Sequence, residues 1–201
     1  MCGGRGTRLD ADTEKPLYEI GGQPMVERVI DALRASQIEA IHAVGSPNAP
    51  RTHDRLNPDR SHAQHADTHD DGTQHRDPNL ESFVEAPGEG YVADLAAALD
   101  RVDPPVLTVA ADLPLLAGES IDRVLDAFVG DSLAVCVPVT LKRALGVSVD
   151  TTMEHDGRTL APTGINVVGA GGNETTLVSR DERLAVNVNR RADAWVAEAI
   201  A

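Results

Sequence analysis

A chain of 201 residues is long enough for one domain with a substantial core, and its two cysteines, Cys2 and Cys136, do not make a disulfide framework. The formal net charge of −14 comes from 20 Asp and 12 Glu against 16 Arg and 2 Lys, a surface that would repel nucleic-acid phosphates outside a local basic patch. No run of 18 apolar residues is present to span a membrane and no signal peptide is visible, so a cytoplasmic protein is expected.

The chain opens on Cys2-Gly3-Gly4-Arg5-Gly6-Thr7-Arg8-Leu9, followed by Lys15-Pro16. Gly3, Gly4 and Gly6 allow a tight turn whose N–H groups approach an anion, and Arg5, Arg8 and Lys15 add charge-assisted donors for phosphate. Lys15 and Lys142 are the only lysines, so the placement of one beside this loop points to chemistry there. The loop is not a P-loop, because Thr7 follows Gly6 where that motif needs Lys. It is a poor dinucleotide fingerprint, because Leu9 stands where a third glycine is required. In a doubly wound sheet such a loop follows a buried strand, and only Met1 and Cys2 precede it. The expectation is that a first strand lies upstream of Met1.

Leu17 to Ile20 reads as a short extended piece closed by Gly21-Gly22. Pro24 then opens a helix with Met25, Val26, Val29, Ile30 and Leu33 on one stripe, suited to packing on a sheet. Ala40 to Val44 reads as a buried strand leading into the stiff loop Ser46-Pro47-Asn48-Ala49-Pro50-Arg51-Thr52. From His53 to Asn79 the composition turns polar and rich in His and Asp, as expected of a solvated insertion. His62, His65, His69 and His75 offer imidazoles for a metal, but without cysteines or a helical pattern the plain solvated segment is favoured. Leu80 to Ala86 returns to strand character, and Gly88-Glu89-Gly90-Tyr91-Val92-Ala93-Asp94-Leu95 is a glycine turn opening a helix that runs through Leu99.

Val106 to Ala111 is the clearest parallel strand, and it ends in Asp112-Leu113-Pro114. A carboxylate at that end lies in the crevice where open α/β sheets bind ligands. Ile121 to Val129 reads as a helix and Leu133 to Val139 as a strand, in which Cys136 belongs to the core and not to a nucleophile site. Gly146 to Val168 is β-rich with an Asp156-Gly157 hairpin turn. Leu184 to Val188 reads as a last strand, and Asn189 as the cap of a helix carrying Trp195, Val196 and Ile200. Strands alternating with helices, then a small β-rich excursion, indicate one three-layer, Rossmann-like α/β domain over 1–201 with a mostly parallel sheet.

The basic loop and Asp112 together are two halves of a phosphoryl-transfer site: the loop cradles a polyphosphate, and the carboxylate holds Mg²⁺ shared with phosphates and water. Four further stretches sharpen this. Ser46–Thr52, Gly88–Leu95, Pro162-Thr163-Gly164-Ile165-Asn166-Val167-Val168 and Asn187-Val188-Asn189, with the first loop, resemble the archaeal GTP:adenosylcobinamide-phosphate guanylyltransferases. That family is similar in fold to the molybdenum-cofactor guanylyltransferases. The resemblance fails only over the His/Asp stretch and the absent first strand.

The resemblance implies GTP and adenosylcobinamide phosphate as substrates, with Arg5, Arg8 and Lys15 neutralising the triphosphate and Asp112 positioning Mg²⁺. It also implies that Ser46, Asn48, Gly88, Gly90, Tyr91 and Asp94 border the nucleoside, and that Gly164, Asn166, Asn187 and Asn189 sit by the phosphates with Gly3, Gly4, Gly6 and Thr7. Asn48 is equally suited to stiffening its loop, and Asn189 to capping a helix. An open acceptor surface shared in a homodimer is expected, because no deep apolar cavity for a corrinoid is evident. The rivals are nucleotidyl transfer to the molybdenum cofactor or a sugar phosphate, and a GTP-binding module without catalysis.

An acidic chain with eight arginines for each lysine suits a halophilic protein, in which dense carboxylates hold hydration where salt screens ordinary charge effects. Lowering salt from molar to about 0.1 M, where the screening length reaches roughly 10 Å, should therefore lower the thermal midpoint followed by circular dichroism. An unchanged midpoint would remove the halophile reading.

Overall fold

The computed structural model describes Leu9, residues 13–57 and residues 80–201. The loop residues Gly3 to Arg8 and His62, His65, His69 and His75 lie outside the described residues. A 3₁₀ turn over Lys15–Leu17 leads to two short antiparallel strands, β1 (Glu19–Ile20) and β2 (Gln23–Pro24), joined by Gly21-Gly22. Helix α1 (Met25–Arg34) follows, with Met25, Val26, Val29 and Ile30 buried as its stripe requires. Strand β3 (Ile41–Gly45) precedes α2 (Pro50–Leu56), and β4 (Leu80–Glu85) precedes α3 (Tyr91–Leu99). The order continues β5 (Val106–Val109), α4 (Gly118–Ala127), β6 (Ser132–Pro138), α5 (Val139–Leu145), β7 (Met153–His155), β8 (Arg158–Val168), β9 (Glu174–Val178) and α6 (Arg191–Ile200).

Helix α2 corrects the expected start of the polar insertion. His53 and Leu56 are buried, and the His53 ring meets Phe83 of β4 edge-on with centroids 4.5 Å apart, so 53–56 are packed helix. Gly45 makes room for that aromatic ring, because a Cβ there would lie 2.1 Å from Phe83 Cζ.

Strands β3 and β4 pair in parallel, and β5-β8-β6-β9 form a second sheet with β7 on the edge of β8. The β-rich stretch is therefore not an excursion: β8 runs between β5 and β6, antiparallel to both, while β9 is parallel to β6. Among these five strands β8 alone runs against the rest. Strand β7 and the start of β8 make the expected hairpin, with Asp156 at φ 47° and Gly157 at φ 69°. The core over this sheet joins Val109, Val135, Val137, Ile165 and Val167 to Val29 of α1 and Ile121 and Val124 of α4.

An apolar cleft of about 430 Å³ lies between β3 and β5, walled by α1 and α3. Among the described residues no strand pairs across it, so β3 bonds only to β4 and β5 only to β8.

The predicted last strand, Leu184 to Val188, is not a strand. Glu182–Ala185 is a 3₁₀ turn and the residues after it are irregular, yet 184–188 are all buried. Burial explains the apolar run; the backbone groups find partners outside any ladder, with Val188 N–H donating to Asp112 O at 3.0 Å and Lys142 Nζ to Ala185 O at 2.8 Å. The run is held from upstream by Asp181, whose carboxylate accepts from Ser120 Oγ at 2.6 Å and from the Arg183 guanidinium at 3.0 Å.

Burial alone would raise the Asp181 carboxyl, but hydrogen bonds from Arg183 and Ser120 outweigh it and hold it below the ordinary carboxylate range. A depressed folded pKa contributes stability above the ordinary range, lost as pH falls through the folded value. Asp181→Asn should thus cost about 1–3 kcal/mol in urea unfolding at pH 7. The gap from wild type should close in acid; a gap independent of pH would contradict the assignment.

Candidate active site

The carboxyl end of β5 carries the polar centre of the molecule. Asp112 Oδ2 pairs with Lys15 Nζ at 2.6 Å, each side chain being 18% exposed. Lys15 Nζ also donates to Asn189 Oδ1 at 2.6 Å, and Asn187 Nδ2 donates to Asp112 Oδ1 at 3.1 Å. Four of the residues read from sequence, Lys15, Asp112, Asn187 and Asn189, are thereby brought into one cluster from positions up to 174 residues apart.

Each member is fixed by its own surroundings. Lys15 opens the 3₁₀ turn, and its predecessor Glu14 accepts from Arg51 N, Thr52 N and Thr52 Oγ1 at 2.7–2.9 Å, tying this segment to the start of α2. Asn189 does not cap the last helix. Its side chain faces Lys15, and the cap position is Arg190. The buried Asp193 carboxylate, in the first turn of α6, accepts from Asn189 N, Arg190 N, Ser148 N and Ser148 Oγ, and so sets the Asn189 backbone.

Asn187 is buried. Its Nδ2 donates to Thr163 O at 2.7 Å as well as to Asp112, and its Oδ1 accepts from the buried Lys142 Nζ at 3.0 Å. Burial pushes the Lys142 ammonium below the usual lysine range, against the opposing pull of Asp193, Asp112 and Asp150. Gly164 follows at φ 85°, and a Cβ there would stand 2.8 Å from Ala110 Cβ, so only glycine lets β8 close on β5 beside Asp112.

Leu9, the described end of the glycine loop, is wholly buried against Ile20, Leu115, Val186 and Val188. Of these, Leu115 follows Asp112 closely and Val186 and Val188 flank Asn187, so Leu9 packs beside this centre. Gly3, Gly4, Arg5, Gly6, Thr7 and Arg8 themselves lie outside the described residues.

The predicted nucleoside border forms a second cluster. Asn48 Nδ2 donates to Gly88 O at 2.9 Å, and Ser46 Oγ accepts from Asn48 N at 3.2 Å. Gly88, at φ 76°, packs so closely that a Cβ would lie 2.9 Å from Asn48, Pro47 and Ser46. The Asn48 amide therefore stiffens its loop. Asp94 is buried and its Oδ1 accepts from Gly88 N at 2.8 Å, so it closes the glycine turn from within. Gly90 sits at φ 117° ahead of α3. Tyr91 is 47% exposed, and its hydroxyl accepts from Asn166 Nδ2 at 3.3 Å beside Thr108, which places Asn166 with Tyr91 and not with the Lys15 cluster.

Glu14, Lys142 and Asp193 escape sequence reasoning as parts of the site. The scarcity of lysine is a signal for Lys142; the carboxylates carry none in a chain so rich in them.

Among the described residues Asp112 is the one carboxylate in the Lys15 cluster, and no three His, Cys, Asp or Glu side chains converge as a metal nest. Among the described residues each Asp112 oxygen has one hydrogen-bond donor and keeps a lone pair, which fits a divalent ion bound mainly by phosphates and water. Burial holds the Cys136 thiol up, in keeping with a core role.

A basic glycine loop leading to a lysine–aspartate pair at the sheet's carboxyl edge defines an α/β nucleotidyltransferase. The chain belongs to the MobA-like NTP transferase domain family, whose model matches residues 1–153. The adenosylcobinamide-phosphate guanylyltransferase of Methanocaldococcus jannaschii is 28% identical over 98% of this chain and 93% of its own. Among solved structures, the 4-diphosphocytidyl-2C-methyl-D-erythritol synthase of Anaerococcus prevotii superposes with a TM-score of 0.61 at 13% identity, covering 92% of each chain. A hypothetical transferase from Thermus thermophilus gives 0.57 at 20% identity; 84% of this chain is covered, but only 63% of that one. These likenesses show the Rossmann-like fold.

Gly164→Ala should cost about 2–4 kcal/mol from the left-handed backbone and the overpacked strand contact, read as a lower urea midpoint. A wild-type midpoint would mean that β8 does not press on β5 there.

Proposed function

We propose that the protein transfers GMP from GTP to adenosylcobinamide phosphate, giving adenosylcobinamide-GDP and pyrophosphate in cobalamin assembly. The observation that carries the reading is the Lys15–Asp112–Asn189 cluster at the end of β5, in a chain matched along 98% of its length by a relative of that name. A phosphate oxygen of the acceptor attacks the α-phosphorus of GTP, and the bond from that phosphorus to the bridging oxygen of the β-phosphate breaks. The nucleophile is already ionised at neutral pH, so no general base is required. That suits a centre made of cations and amides.

The ammonium of Lys15 has three donors. Among the described residues Asp112 and Asn189 take two, leaving one for a phosphate oxygen as charge passes to the departing pyrophosphate. Arg5 and Arg8 add cationic donors from the loop. Mg²⁺ held by Asp112 would supply further charge neutralisation on the polyphosphate. The Ser46–Asn48 loop and the Gly88–Tyr91 turn, stiffened by each other, border the nucleoside. No helix among the described residues is long and apolar enough to cross a membrane. The acceptor meets an open surface, which a homodimer would share.

Purified protein given α-labelled GTP should move label to adenosylcobinamide phosphate and release pyrophosphate. Turnover of a molybdopterin or a sugar phosphate, but not of the corrinoid, would overturn the acceptor. GTP binding without pyrophosphate release would overturn catalysis. Lys15→Ala should lower kcat about 10²–10³-fold, as for loss of one transition-state donor, with the fold retained at reduced stability because Asp112 loses its ion-pair partner. Near-normal turnover would remove Lys15 from the centre.

A further inference from the structure

The chain has two lysines, and both reach the same carboxylate: Lys15 directly, and Lys142 through one intervening amide. We propose that Lys142 is a positioning residue that orients Asp112 for the nucleotide and its divalent ion by locking the Asn187 side chain.

An asparagine amide presents an oxygen and an NH₂ of almost the same size, and can turn either toward a neighbour. At Asn187 chemistry leaves one choice. Lys142 Nζ can only donate, so Oδ1 must face it, at 3.0 Å. Both remaining partners, Asp112 Oδ1 at 3.1 Å and Thr163 O at 2.7 Å, can only accept while the carboxylate is ionised, so Nδ2 must face them. All the polar atoms of this buried amide are thereby engaged. Lys142 is itself pinned by Ala185 O at 2.8 Å, and its position at the end of α5 is 4% exposed.

Without the ammonium, the buried Oδ1 loses its donor and the amide loses one of its three anchors, so it is freer to shift within the site. Its NH₂ then no longer holds the Asp112 carboxylate firmly in the position that Lys15 and the nucleotide share. Residues that orient a metal-binding carboxylate typically change metal affinity or activity 10–100-fold, on the order of what is expected here. An alternative is that Lys142 only offsets the charge of nearby carboxylates. That alternative does not need Asn187, and a double-mutant cycle separates the two.

The activity arm rests on the function proposed above; the binding arm does not. In the first, Lys142→Met should lower kcat by about 10–100-fold with the KM for GTP little changed, while the same change added to Asn187→Ala should lower kcat by no more than about twofold if both act on one path. In the second, Mn²⁺ and GTP are titrated together without acceptor and free Mn²⁺ is read by electron paramagnetic resonance. Lys142→Met should weaken Mn²⁺ retention in the wild-type background and not in Asn187→Ala. Lys142→Gln, which keeps a donor but no charge, should restore most of both signals, and it carries the cycle if the Met variant fails to fold. Independent, multiplicative losses in the binding arm, or a Met variant whose binding matches wild type, would overturn the proposal. A wild-type protein that transfers nothing to the corrinoid but shows the Mn²⁺ coupling would sink only the acceptor assignment.

Discussion

The structure depends on one half-buried ion pair. Lys15 and Asp112 lie 97 residues apart in sequence and 2.6 Å apart in space, joining the turn after the glycine loop to the end of β5. An exposed pair of this kind adds little, because water and salt screen it. Here each side chain is mostly withdrawn from solvent, and amides from Asn187 and Asn189 complete the polar partners. Removing either charge would leave the other desolvated beside groups arranged for a pair. The same contact thus ties the turn at Lys15 to the end of β5 and leaves one ammonium donor of Lys15 unpaired among the described residues.

Around the pair, the fold supplies rigidity where the chemistry needs it. Strand β8 lies between β5 and β6, and Gly164 lets it press on Ala110, so Thr163 O stands where the Asn187 amide can reach it. The irregular run after the second 3₁₀ turn delivers Asn187 and Asn189 because its ends are fastened: Asp181 binds Arg183 and Ser120 upstream, and Asp193 gathers the backbone of Asn189 and Arg190 downstream. Glu14 extends this order to the second cluster by clamping the start of α2, which follows the Ser46–Asn48 loop. Carboxylates do most of this work, so the acidic composition is partly a building material of the site and not only a surface property.

Much of the polar cluster was legible in the chain. Lys15 after the glycine loop, the carboxylate ending the apolar run at Asp112 and the asparagine pair near the end carry chemical meaning within a few residues. Hairpin chemistry at Asp156-Gly157 and the apolar stripe of α1 are local in the same sense. Other features misled for a physical reason. Residues 184–188 look like a strand because they are buried, but burial says nothing of which groups satisfy the backbone. Asn189 has the chemistry of a cap, and the packing of Lys15 redirected it. The β-rich stretch looked peripheral because antiparallel strands so often are, although β8 occupies the middle of its sheet.

By itself the sequence determined the kind of protein: a basic glycine loop, a lysine and a carboxylate in an α/β frame, with motifs enough to name a family. Those signals are short-range, set by which side chains stand within one loop or at the end of one strand. Only the tertiary structure decided which partner each group takes: that Lys15 meets Asp112, that Asn187 turns its NH₂ and not its oxygen to that carboxylate, and that Lys142 stands behind it. Hydrogen-bond direction and the withdrawal of charge from water are properties of packed neighbours, drawn here from elements up to 174 residues apart, and no local pattern encodes them.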